Sequence, residues 1–102
     1  LIDAEGNVTT PSVYKDVYKM YCEGGWIGVS APPEFGGVGA PQLVRIATQE
    51  AFAAASSAFT MYPGLTHGAA ALLLDEGNDE QKNMFCENLF SGHWGGTMCL
   101  TE

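Results

Sequence analysis

Apolar residues recur at helical spacing through most of the chain, interrupted by three clusters of glycine and proline. Tyr14, Val17, Tyr18 and Tyr21 fall on one helical face. Thr10 is placed to cap that helix, Pro11 suits its first position, and Gly24-Gly25 ends it. Residues 26–39 carry Pro32, Pro33, Gly36, Gly37 and Gly39, which predicts an irregular segment packed through Trp26, Ile27, Val29 and Phe35. A second helix starts at Pro41 with Leu43, Val44, Ile46 and Ala47 as its apolar stripe. Nearly every position of 51–59 is small or apolar, which predicts a central helix buried on several sides.

Pro63-Gly64 is expected to break or kink this pattern, after which Leu65, Ala69, Leu72 and Leu73 repeat up to Gly77. Asn78 is positioned to cap a fourth helix with Gln81 reaching back to it. Asp79 and Glu80 sit favourably against the helix dipole, and Phe85, Leu89 and Phe90 form the core face. Residues 94–101 alternate instead, with Thr97, Cys99 and Thr101 on one side and Met98 and Leu100 on the other, which reads as a strand. The expected fold is therefore all-α, a bundle of about four helices with a short C-terminal strand. A lone strand leaves its N–H and C=O groups unpaired. The expected division is a helical domain over 1–93 and, over 94–102, the first strand of a β-domain that the chain does not contain.

Composition narrows the function. The chain has 102 residues and an apolar content of 46%, enough for one small core. Four Lys and Arg against 12 Asp and Glu give a net charge of -8, which argues against a reader of phosphate backbones. Charged residues make up only 16%, and there are 13 glycines, a balance suited to surfaces that something else covers. No apolar run reaches the ~20 residues of a membrane-spanning helix, and no signal peptide is visible in the opening residues, although a start without Met leaves the true beginning open. Cys22, Cys86 and Cys99 are odd in number and lie in apolar contexts, which points to reduced core thiols in a cytoplasmic type of compartment.

The residues offer little chemistry of their own. His67 and His93 stand alone, no Cys-x-x-Cys occurs, and the acidic run of 75–80 reads as a helix start and solvated turn, so no metal site is supported. Ser30 lacks the second glycine of a hydrolase elbow. Gly36-Gly37-Val38-Gly39 fits neither the dinucleotide nor the P-loop spacing and reads as a tight loop. No acid/base pair or triad is present.

Four segments, in order and at matching separation, carry a resemblance over nearly the whole chain. They are Gly25-Trp26-Ile27-Gly28, Pro33-Glu34-Phe35-Gly36-Gly37 with Gly39 and Pro41 behind it, Gly77-Asn78-Asp79-Glu80-Gln81-Lys82, and Trp94-Gly95-Gly96-Thr97-Met98-Cys99-Leu100-Thr101-Glu102. Together they resemble the N-terminal helical domain of the acyl-CoA dehydrogenase family and the opening strand of its middle domain. The stretch Met61-Tyr62-Pro63-Gly64-Leu65-Thr66-His67-Gly68-Ala69 is similar to the branch containing 3-methylmercaptopropionyl-CoA dehydrogenases.

The resemblance implies FAD and oxidation of the Cα–Cβ bond of an acyl-CoA thioester. In such enzymes a carboxylate takes the α-proton, hydride leaves for the flavin, and electrons pass to a separate acceptor protein. That carboxylate belongs to a C-terminal domain, so no residue here is expected to be catalytic and the fragment alone is expected to be inactive. Met98, Leu100 and Thr101 match the flavin-contacting positions, with Met98 standing where many members have an aromatic residue; the plain alternative is that all three are strand residues only. Thr60, Met61, Gly64, Leu65 and Gly68 match the wall of the acyl cavity. Gly64 and Gly68 either leave room for substrate or let two helices approach closely. A homodimer or homotetramer is the inherited expectation for the whole enzyme. The competing class is a free-standing helical interaction module whose terminal strand pairs with another protein.

Overall fold

The computed structural model describes residues 2–99. Its first helix, α1, spans Val13–Glu23 and starts two residues later than the Thr10-Pro11 expectation. Ser12 stands at its N-cap without a side-chain cap bond, and the N–H groups of Tyr14 and Lys15 instead donate to the carbonyls of Pro11 and Ser12. The other end follows the expectation. Gly25 has φ +71, the Trp26 N–H donates to Tyr21 and the Gly25 N–H to Cys22, which is the paired bonding of a Schellman cap.

Residues 26–40 form the irregular segment, with one 3₁₀ turn at Pro33–Phe35. The segment doubles back on itself, as Val38, Gly39 and Ala40 donate to the carbonyls of Gly28, Ala31 and Val29 at 3.1, 2.9 and 2.9 Å. A Cβ at Gly37 would collide with the Ala31 carbonyl, so this glycine serves the close backbone approach of a tight loop.

The second helix, α2, covers Gln42–Glu76 and includes Pro63, contrary to the break expected there. The chain turns seven residues earlier. Ser56 is extended (φ -161, ψ 97), and its Oγ accepts the Phe59 N–H at 3.3 Å, the bond of an N-cap starting a new helix. α2 is therefore two limbs, 42–55 and 57–76, and with α1 and the last helix the described residues form the four rods expected. Pro63 is fully buried. Its packing offsets a cost of about 3 kcal/mol for proline inside a helix, whereas Ser56-Ser57 are weak helix formers that supply a cap.

The third helix, α3, spans Asp79–Phe90 behind the predicted capping box: the Gln81 N–H donates to Asn78 Oδ1 and the Asn78 N–H to Gln81 Oε1, both at 2.9 Å. Asp79 and Glu80 occupy its first turn. Ile27, Ala31, Phe59, Ala70, Cys86, Leu89 and Phe90 form the core with Tyr21. Rings from three elements lock α1 to the bend, with Tyr21 against Phe52 and Phe59 at 4.8 and 5.5 Å and Trp26 against Phe52 at 5.3 Å.

Several burial expectations are corrected. On the second limb of α2 the inward stripe is Phe59, Pro63, Thr66 and Ala70, with Leu73 of the expected set packed half-buried against the core and Leu72 exposed. On the first limb, Leu43 and Ile46 are 76% and 53% exposed, and most of 51–58 is exposed, so this limb is not a central helix among the described residues. The apolar pattern is real, but no described element lies over it. Of the three thiols, Cys86 is buried and Cys22 partly so, while Cys99 is exposed and is not a core residue. From residue 94 onward the described chain forms no strand ladder. The strand expectation for 100–102 lies outside the described residues.

Candidate functional site

The second limb of α2 presents opposite faces of opposite character. At about 100° per residue, Phe59, Pro63, Thr66 and Ala70 point into the core, and Met61, Gly68 and Leu72 lie on the far side with Gly64 and Leu65 flanking them. Met61 and Leu72 are 62% and 64% exposed, and nothing stands within 4 Å of where a Cβ would lie on Gly64 or Gly68. Within the described residues neither glycine serves a close helix approach. The face is an apolar strip with two notches. Four of the five residues expected to wall an acyl cavity therefore come together. Thr60 is buried at the edge of the face, its hydroxyl donating to the Ser57 carbonyl at 2.8 Å.

The chain after α3 is tied to this limb. The Trp94 N–H donates to the Asn88 carbonyl at 3.0 Å, and its ring meets Phe85 at 5.9 Å. Two residues on, the Gly96 N–H donates to Thr66 Oγ1 at 3.1 Å. Thr66 in turn donates to the Tyr62 carbonyl at 3.2 Å. Met98 follows, 59% exposed. Leu100 and Thr101, the other expected flavin contacts, lie outside the described residues.

On the same limb, His67 Nδ1 lies 2.9 Å from the Ile27 carbonyl, so the imidazole donates there and holds the irregular segment. Burial lowers its pKa below the ordinary 6.5 and Arg45 adds to this, while the bond to Ile27 pulls the other way. His67 lines a cavity of about 260 Å³ with Ser30, Gln42 and Asp75. Oriented by its partners, the Gln42 amide donates to Ser30 Oγ at 3.1 Å and accepts from Arg45. Tyr18 beside Thr66 and Cys22 is pushed up to about 12, mainly by burial. No group of three or more potential metal ligands occurs among the described residues.

Sequence reasoning missed Ser56, Thr66 and Gly96. A Ser-Ser pair inside an apolar helical run was a readable cap signal for Ser56. Thr66 and Gly96 are thirty residues apart and carry no local signal that joins them.

Comparison with known proteins agrees with this architecture. The profile described as acyl-CoA dehydrogenase, N-terminal domain, matches residues 2–93. A 3-methylmercaptopropionyl-CoA dehydrogenase of Ruegeria pomeroyi is 40% identical over 97 residues, 95% of this chain and 16% of that protein. A butyryl-CoA dehydrogenase of Syntrophomonas wolfei is 35% identical over 93% of this chain and 15% of its own length. A mitochondrial isovaleryl-CoA dehydrogenase of Pongo abelii is 29% identical over 86% of this chain and 21% of its own. The chain thus spans 15% to 21% of the length of these relatives. It belongs to the acyl-CoA dehydrogenase N-terminal domain family.

Proposed function

We propose that this chain is the helical domain, over 1–93, and the opening of the middle domain, over 94–102, of a flavin-dependent acyl-CoA dehydrogenase that oxidises the Cα–Cβ bond of an acyl-CoA thioester. The observation that carries the reading is the notched apolar face of α2, on the residues that match the family's acyl wall. FAD would accept the hydride when bound. Met98 fits that group, because its exposed thioether is free to lie against a planar ring, with Leu100 and Thr101 proposed as further contacts. This domain's own work is to wall the acyl chain through Met61, Gly64, Leu65 and Gly68, with Thr60 at the edge, and to exclude water from the reacting bond.

The likeness to the Ruegeria pomeroyi enzyme favours a short, thioether-bearing acyl group. The exposed residues Leu43 and Ile46, and an apolar groove of about 380 Å³ between α1 and the first limb, suit a domain packed within a larger subunit. A homodimer or homotetramer, a separate electron-acceptor protein and a cytoplasmic setting complete the reading. No described helix is long and apolar enough to cross a membrane, and the three free thiols suit a reducing compartment.

The test is an acyl-CoA panel on the full-length protein with an artificial electron acceptor, alongside its visible spectrum. Flavin bands and acyl-CoA-dependent dye reduction are expected. No flavin bands after FAD addition, and no turnover of any acyl-CoA, would overturn the proposal and leave the helical interaction module in its place.

A further inference from the structure

Thr66 is 2% exposed, and its hydroxyl donates its proton to the Tyr62 carbonyl and accepts the Gly96 N–H, with the Tyr18 hydroxyl beside it as a further partner. The contact is tight on the other side too. A Cβ on Gly96 would lie 2.7 Å from the Ala69 Cβ, 3.0 Å from the Thr66 Cα and 3.1 Å from the Leu65 carbonyl oxygen, so the tail rests directly on the helix backbone. With Trp94 held by Asn88 and Phe85, the tail has two fixed points separated by one residue. Met98 is two residues beyond the second, a span of about 7 Å at most for extended chain. An error in register at Gly96 passes to Met98 with little to absorb it.

We infer that Thr66 is a positioning residue: its hydroxyl clasps Gly96 and so fixes the flavin-contacting tail in register with the helix face that walls the acyl group. The inference rests on the proposed function, since it assigns no new ligand. It adds that the two contacts share one reference point, because Leu65, whose carbonyl lies under Gly96, belongs to the acyl-walling set. The hydroxyl thereby converts a helix position into a distance between the ring and the substrate.

The experiment uses the full-length holoenzyme with three variants. Thr66→Val keeps the shape and removes the acceptor, Thr66→Ser keeps the hydroxyl, and Gly96→Ala lifts the tail while leaving Thr66 intact. FAD dissociation is followed by flavin fluorescence, and exchange of the Gly96 amide by mass spectrometry. Thr66→Val and Gly96→Ala are expected to weaken FAD binding roughly five- to tenfold, the scale of one lost hydrogen bond. Thr66→Val should also speed Gly96 exchange and Thr66→Ser should restore both. If FAD affinity is unchanged in Thr66→Val, or Thr66→Ser does not rescue it, the clasp has no positioning role. Should Thr66→Val fail to fold, unchanged FAD affinity in Gly96→Ala overturns the inference by itself and weakened affinity supports it. A wild-type protein that binds no flavin defeats the functional proposal instead, a result plainly different from a silent variant.

Discussion

Substituting Gly68 in the full-length enzyme separates room for substrate from helix economy, because the two predict opposite signs. Gly68 lies inside the second limb of α2 with nothing within 4 Å of a would-be Cβ. Glycine there costs about 1 kcal/mol of helix stability relative to alanine, and no clash opposes the replacement. Gly68→Ala should therefore stabilise the limb, slowing amide exchange across it by roughly fivefold where exchange runs through local opening. If the face walls the acyl group, Gly68→Leu fills space that substrate needs. A crowded apolar site typically loses about 1–3 kcal/mol, so kcat/KM for acyl-CoA should fall roughly five- to a hundredfold, chiefly through KM. The assay is steady-state dye reduction over a series of acyl-CoAs, with exchange measured on the same preparations. Slower exchange with unchanged kinetics in Gly68→Leu would refute the wall assignment, and faster exchange in Gly68→Ala would refute the claim that the notch is open.

Three further outcomes follow from the geometry. Asn78→Ala removes the side-chain acceptor of the Gln81 N–H, leaves the backbone bond from residue 78 to Gln81 available, and should cost about 1 kcal/mol, seen as faster exchange in the first turn of α3 with FAD affinity unchanged; no change there would mean the Asn78 cap contributes nothing. Because burial lowers the pKa of His67 in the fold, the unfolded chain binds the proton more readily. The stability His67 contributes is thus present above about 6.5 and is lost as pH falls through the folded value, so His67→Gln should flatten the decline of stability on acidification, and an unaltered slope contradicts this. Gly37→Ala forces a Cβ into the Ala31 carbonyl and should reduce soluble yield sharply; wild-type yield and stability would show that the doubled segment opens freely.

Local rules were enough wherever a residue's role depends on its near neighbours. The capping box at Asn78, the Gly24-Gly25 stop and the irregular segment of 26–40 each stand as the sequence predicts, because their partners lie within a few positions. Family motifs reached further and identified the domain, since they record a fold that local spacing alone does not specify. The same periodicity failed on burial. Apolar spacing says which residues share a face, but Leu43 and Ile46 show that it does not say whether anything covers that face.

Tertiary packing decided that the long helix runs through Pro63, and it decided what holds the tail. Proline is the stronger local breaker, yet Pro63 stays in the helix because the core pays for it, and the chain turns at Ser56, where a side chain caps the next limb. Thr66 and Gly96 meet across thirty residues through a contact that exists only once α2 and α3 are packed. Periodicity and capping act over one or two turns of chain, and so they are written in the sequence; the meeting of distant backbones depends on summed side-chain volumes, which no short stretch encodes.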